Sequence, residues 1–294
     1  MRWMKFKWLY FLISALVIIP GTISLVRFGL KPAIDFTGGT LLELKFEQEI
    51  GILRDEDIRN VVEEKGFELS SIQPSGTGAV LLRLKPISKE DAETIKSVLE
   101  EKFNEKPQEI RFETVGPTLG RELLTKTITG IILASIFILA YVAWRFKNAK
   151  FGICAILAMF HDTLVLLGIF SLLGHFLGVE VDTLFVTALL TILSFSVHDT
   201  VVVYDRIRES QKLFPKVSME DLVDKAVTET LSRSLNNSLT IIFMLIALIL
   251  LGGETIKWFS VALLIGTISG TYSSTFTAAP LLVVWEKLAN KKKK

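Results

Sequence analysis

The chain has 294 residues, half of them hydrophobic, with a mean hydropathy of +0.47 and 33 basic against 31 acidic side chains. Repeated apolar runs near 20 residues exclude an ordinary soluble domain. The formal net charge of +2 indicates no partner by itself, and the single cysteine, Cys154, excludes an intrachain disulfide.

A hydrocarbon core of about 30 Å needs about 20 apolar residues per helix. The first such run is Trp8–Val26, behind the basic residues Arg2, Lys5 and Lys7. It is longer than a typical signal-peptide core, and no small-residue cleavage site follows, so it is read as a retained span. The short motif Asp35-Phe-Thr-Gly-Gly39 then opens a stretch, 29–126, that breaks the membrane pattern. Thr40–Phe46 alternates like a half-buried strand, and Asp55–Lys65 reads as an amphipathic helix stopped by Gly66. Ser70–Gln73 and Ala79–Lys85 read as two strands. Ser88 and Asp91 form a capping-box signature for a helix reaching Phe103, and Ile110–Val115 is a last strand. The order β-α-β-β-α-β is that of the ferredoxin-like split βαβ motif.

Five further spans follow: Thr127–Trp144, Phe151–Leu173, Leu184–Tyr204, Leu235–Leu251 and Trp258–Trp285. Between the fourth and fifth, a connection of about 205–234 carries Arg206, Arg208, Lys212, Lys216, Lys225 and Arg233. Within it, Pro215 and the cap Ser218 to Asp221 start a helix with Leu222, Val223, Ala226, Val227 and Leu231 on one side. That helix is expected to lie on the membrane surface. Arg145, Lys147, Lys150 and the tail Lys291–Lys294 fall on the same side as these basic residues. The opposite short loops, Gly174–Asp182 and Gly252–Lys257, hold only Lys257. The positive-inside rule makes both termini cytoplasmic and puts 29–126 outside. The expected divisions are 1–28, 29–126, 127–285 and a basic tail, 286–294.

The fourth span carries His198 and Asp199, although a charge at membrane depth costs roughly 2.5–3.5 kcal/mol on insertion scales. At about 100° per residue, Thr187, Thr191, Ser194 and His198 share a stripe with Asp199 on its flank. On the fifth span Arg233, Asn236, Asn237 and Thr240 share a face. On the sixth, Thr267, Gly270, Thr271 and Ser274 do so, and Gly266 and Gly270 permit close helix packing. The third span has His161 and Asp162 at its middle. Three polar faces and three ionisable types predict a hydrated or proton-bearing interior. The expected centre is a pair, Asp199 and Arg233: the guanidinium favours the carboxylate and burial favours the acid. Asp162, nearer mid-bilayer, is a second proton site. His198 and His161 read equally as relays or as histidines bonded to backbone. Asp205, Arg206 and Arg208 are expected at the interface. No Walker loop, metal-ligand cluster or nucleophile elbow occurs, so no ATP use, metal or catalytic centre is expected.

Together these motifs resemble the SecF branch of the SecD/SecF family of bacterial protein-export membrane proteins. The resemblance is carried by Asp35 to Gly39, by Val115-Gly-Pro117 with Gly120-Arg-Glu-Leu123, and by His161-Asp162. It continues through Ser196 to Glu209, Thr230-Leu-Ser-Arg233 and Gly270-Thr-Tyr-Ser-Ser274. The family pattern usually has Asn where His198 stands. The resemblance implies a six-helix polytopic half of the resistance–nodulation–division (RND) type in a bacterial inner membrane, with a small α+β periplasmic domain. It implies pairing with SecD, work beside the SecYEG translocon with SecA and YajC, and handling of unfolded exported polypeptides. The family's proton-linked aspartate and arginine fall on Asp199 and Arg233; protons are the coupling ion, and no other cofactor or nucleic acid is implied. Asp35, Gly38 and Gly39 mark the family motif at the periplasmic side. The competing readings are a proton-coupled half-transporter for a small molecule or lipid, and a passive scaffold.

Overall fold

The structure, a computed structural model, describes residues 2–46, 55–75, 78–146 and 148–291. The last three lysines of the expected basic tail lie outside the described residues. The chain divides into two compact units, one of residues 32–128 and one of residues 1–31 with 129–294.

In the smaller unit, a single helical turn α2 (Ile34–Thr37) precedes β1 (Gly39–Lys45), α3 (Asp55–Glu64), β2 (Leu69–Ser75), β3 (Ala79–Leu84), α4 (Lys89–Phe103) and β4 (Gln108–Val115). The strands run in the order β2-β3-β1-β4, and every neighbouring pair is antiparallel. Alternation sets the faces: Leu42 and Leu44 of β1 stand opposite Leu82 and Val80 of β3, and these side chains meet Ile58 and Val62 of α3 and Ile95 and Leu99 of α4. Fully burying each leucine is worth about 1.5–3 kcal/mol. Ser88 and Asp91 form the reciprocal capping box that starts α4. The other face of the sheet is charged, with Glu43 opposite Arg111.

At the start of the sheet the two glycine-bearing motifs meet. Gly38 has φ +73°, and a Cβ there would lie 2.9 Å from Pro117 Cα. A Cβ on Gly120 would lie 2.9 Å from the Gly38 nitrogen. The Asp35–Gly39 motif thus packs by backbone contact against the first turn of α5 (Pro117–Arg145).

The larger unit is helical. A 3₁₀ turn (Trp3–Phe6) leads into α1 (Lys7–Phe28). After α5 come α6 (Ala149–Leu177), α7 (Thr183–Leu213), α8 (Met219–Leu251) and α9 (Glu254–Ser273), then a π-helical segment (Ser274–Ala278) and α10 (Ala279–Lys291). Among the described residues, five helices are long and apolar enough to cross a membrane: Trp3–Phe28, Pro117–Arg145, Ala149–Leu177, Thr183–Leu213 and Met219–Leu251. The expected sixth run, Trp258–Trp285, is instead α9, the π segment and α10. Its hydroxyl residues Thr267, Ser269, Thr271 and Ser273 dilute the apolar run, and the π turn interrupts it.

The connection expected at 205–234 is mostly helix. α7 continues to Leu213 and α8 begins at Met219, capped by Ser218. No break separates the expected surface helix from the fifth span. Its apolar residues Leu222, Val223, Ala226 and Val227 are buried, the last three against the helical core around Tyr204 and Ile207, so the apolar face expected to meet a membrane surface is covered by protein. The first residues clasp it: the Met4 N–H donates to Asp224 at 2.7 Å and the Trp3 indole N–H donates to Thr228 at 3.0 Å.

α1 buries only Ser14, Gly21 and Ser24, while Leu12, Leu16 and Ile19 point outward. Gly21 crosses Gly168 of α6 so closely that a Cβ on Gly168 would lie 2.7 Å from Gly21 Cα. One turn further on, Ser24 and Ser171 share a hydrogen bond of 2.8 Å. α9 approaches α7 through Gly266, where a Cβ would meet the Ile192 side chain at 2.2 Å.

Candidate functional site: two buried carboxylates

The helical unit buries two aspartates side by side in sequence with histidines. Asp162, in the middle of α6, is 1% exposed. Three hydroxyls from two other helices donate to it: Ser196 of α7 and Ser273 of α9 to Oδ2, and Ser269 of α9 to Oδ1, each at 2.6 Å. His161 Nδ1 lies 3.0 Å from Oδ1, and its Nε2 lies 2.9 Å from Ser14 Oγ on α1. A neutral imidazole satisfies both contacts when Nδ1–H donates to the carboxylate and Nε2 accepts from the serine. Ser14 continues to Thr277 of the π segment at 3.4 Å.

Asp199, on α7, is 4% exposed. Its Oδ2 accepts from Ser234 of α8 and from Ser274, at 3.1 Å, of the π segment. One helical turn away, Ser238 and Thr271 share a hydrogen bond of 2.5 Å. Ser196 and Asp199 lie three residues apart and therefore on one face of α7. A polar seam thus runs from Ser14 through Asp162 to Asp199 and Ser234 inside the helical unit. Among the described residues, no set of three His, Cys, Asp or Glu lies together to hold a metal ion.

The expected Asp199–Arg233 pair does not form. Arg233 is exposed, and the residue facing Asp199 is its neighbour Ser234. Successive helical residues point about 100° apart, so only one of the two can face α7. The same geometry turns the expected stripe outward: Thr187, Thr191, Ser194 and His198 are all exposed, as are Asn236, Asn237 and Thr240. Three of these threonines satisfy themselves locally. Thr187 donates to the Thr183 carbonyl at 3.0 Å, Thr191 to that of Thr187 at 2.8 Å, and Thr240 to that of Asn236 at 2.9 Å. Thr271 and Ser274 do belong to the inner seam, as do His161 and Asp162. Ser14, Ser196, Ser234, Ser238, Ser269 and Ser273 were not legible as site residues. The usable signals were Ser196 one turn before Asp199, and the four-residue spacing of Ser269 and Ser273.

Fold and site define a multi-pass membrane protein with a small sheet-bearing unit and two carboxylates held by hydroxyls between its helices. Residues 94–288 match the family model for the protein export membrane protein SecD/SecF C-terminal region, and residues 23–50 match that for the SecD/SecF GG motif. The chain belongs to the SecD/SecF family. It is 46% identical to the protein translocase subunit SecF of Thermobaculum terrenum, covering 96% of this chain and 93% of that one. It is 38% identical to the SecF subunit of Anaerolinea thermophila, covering 95% and 92%. The crystal structure of SecDF from Thermus thermophilus, titled a translocon-associated membrane protein, superposes with a TM-score of 0.84 at 33% identity. That match covers 98% of this chain and 39% of the SecDF chain.

Proposed function

We propose that this chain is the SecF-type subunit of a SecD–SecF pair that assists movement of unfolded polypeptides out of a SecYEG translocon, beside SecA and YajC. Proton flow through the helical unit drives motion of the sheet-bearing unit. In this reading α9 to α10 form a sixth span, the helical unit is an RND-type half, and the smaller unit is a ferredoxin-like periplasmic domain. Both termini are cytoplasmic. Lipid covers the exposed apolar faces of α1 and α5.

The observation that carries the reading is the pair of carboxylates, Asp162 and Asp199, buried among hydroxyls, with neither joined to a lysine or arginine among the described residues. Hydroxyls donate to a carboxylate and accept from a carboxylic acid, so the same partners serve both forms. One proton crossing the membrane releases about 2.3 kcal/mol per 100 mV, enough to shift a two-state equilibrium by more than tenfold. The exposed polar face of Thr191, Ser194, His198, Arg233 and Asn237 supports a SecD partner. Polar groups inside membrane spans face protein or a wet cavity rather than lipid. A SecDF relative carries both halves in one chain: the protein of Thermus thermophilus is 36% identical over 88% of this chain, which spans 35% of its length.

The test uses membrane vesicles in which this chain and its SecD partner are supplied or withheld. Export with the chain present should gain a component that disappears when the proton gradient is collapsed. Asp162→Asn should remove that component at normal protein level. Equal export with and without the chain at every gradient would refute the proposal.

A further inference from the structure

Neighbouring residues in a helix point about 100° apart, so two of them seldom serve two different acidic groups on two other helices. Ser273 and Ser274 do so. Ser273 Oγ donates to Asp162 of α6 at 2.6 Å, and Ser274 Oγ donates to Asp199 of α7 at 3.1 Å. Both serines are 0% exposed. They stand where α9 gives way to the π segment, a rare helical form found mostly as single turns at functional sites.

Each hydroxyl has one hydrogen and two acceptors within reach. Ser273 Oγ lies 3.3 Å from the Gly270 carbonyl oxygen, and Ser274 Oγ lies 3.1 Å from that of Thr271. An ionised carboxylate only accepts, so it draws the serine hydrogen to itself. Once the carboxylate takes up a proton, its own O–H donates to the serine oxygen, and the serine hydrogen turns to the helix carbonyl. Such back-bonding bends helices. The Gly270 carbonyl already accepts the N–H of Ser274, so a second donor arrives at the last regular turn before the π segment.

The segment is also held and left spare in particular places. The Tyr204 hydroxyl donates to the Ala278 carbonyl at 2.9 Å and pins its far end. Thr275, next after the pair, buries a hydroxyl with no hydrogen-bond partner.

We propose that Ser273 and Ser274 are positioning residues that couple the protonation of Asp162 to that of Asp199 and pass both into the π turn. The proposal rests on the reading above that these carboxyls bind protons. Among the described residues, the titratable and charged groups around the pair are His161, bonded to Asp162, Tyr272, whose ring lies 6.2 Å from that of His161, and Tyr204, bonded to the Ala278 carbonyl. His198 and Arg233 adjoin Asp199 and Ser234 in sequence but are exposed.

The experiment follows the carboxyl C=O infrared band against pH in the chain reconstituted in lipid with its SecD partner. Asp162→Asn, which imitates the protonated acid, should displace the titration midpoint of Asp199 by about one pH unit. Ser273→Ala and Ser274→Ala should each abolish most of that displacement, and Ser274→Thr should keep it. Thermal unfolding midpoints identify folded variants, and each alanine variant is read independently of the other. A displacement that survives in both folded alanine variants would show coupling by another route, through space or through Ser196 of α7, and overturn the proposal alone. Failure of either carboxyl to titrate in the parent protein would overturn both the proposal and the proton-binding reading beneath it.

Discussion

The two units of this chain invert one another. In the sheet-bearing unit Leu42, Leu82 and Leu99 are 0% exposed, and most charged residues lie outside that core. In the helical unit Leu16 is 70% and Val26 83% exposed, while Asp162 and the serines around it are buried. The residue types are the same; the solvent assumed outside is not. Water drives leucines inward. Hydrocarbon does not distinguish a leucine from a lipid tail, so helices there associate through small residues, close packing and hydrogen bonds.

Breaking the sheet-bearing core should have the largest effect. Leu82→Ala removes a fully buried side chain and should cost about 2–5 kcal/mol, seen as early loss of hydrogen-exchange protection in β1 and β3 of the intact protein. Gly168→Ala should cost about 1–3 kcal/mol by overpacking, because its Cβ meets the Gly21 backbone at 2.7 Å. Thermal unfolding in lipid nanodiscs measures it. Ser24→Ala, which loses only the bond to Ser171, should cost about 0.6 kcal/mol in the same assay. A Ser24→Ala loss as large as that of Leu82→Ala would break the comparison.

The smallest effect belongs to Lys96, which joins Glu93 and Glu109 at 2.5 and 2.8 Å. Burial pulls its ammonium down, and its hydrogen bonds to Glu109 and Glu93 more than offset this, leaving its pKa above the ordinary value. A raised lysine gives stability that is full below its unfolded pKa and lost as pH rises through the folded one. Lys96→Met should therefore cost under about 1 kcal/mol at neutral pH, and above neutrality the difference from the parent protein should shrink as the solution becomes strongly alkaline. A difference that grew with alkalinity would contradict that sign.

The same inversion decides what could be read from the sequence. The strands and helices of 29–126 were legible almost residue by residue, because one face of each had to be apolar. The first five long apolar helices were plain from their length, although α5, α7 and α8 run well beyond the expected spans. Their orientation was not. Thr191 and Ser196 are both hydroxyl residues on α7, yet Thr191 closes on its own helix carbonyl and points out, while Ser196 reaches Asp162. Composition cannot separate the two where polar residues occupy both faces. The choice of Arg233 over Ser234 failed for the same reason. Charge made the arginine conspicuous, but the rotation of α8 put the serine opposite Asp199. The π turn left no sequence signal beyond a run of hydroxyl residues, and it splits the sixth apolar run.

The most direct measurement is export into vesicles at a controlled proton gradient with Asp199→Asn in the chain and its SecD partner present. An asparagine oxygen still accepts from Ser234 and Ser274, so folding and partner binding should persist. The gradient-dependent part of export should fall to background while the gradient-independent part stays. Gradient-dependent export at the parent rate, with Asp199→Asn present at normal level, would contradict proton coupling through this carboxyl.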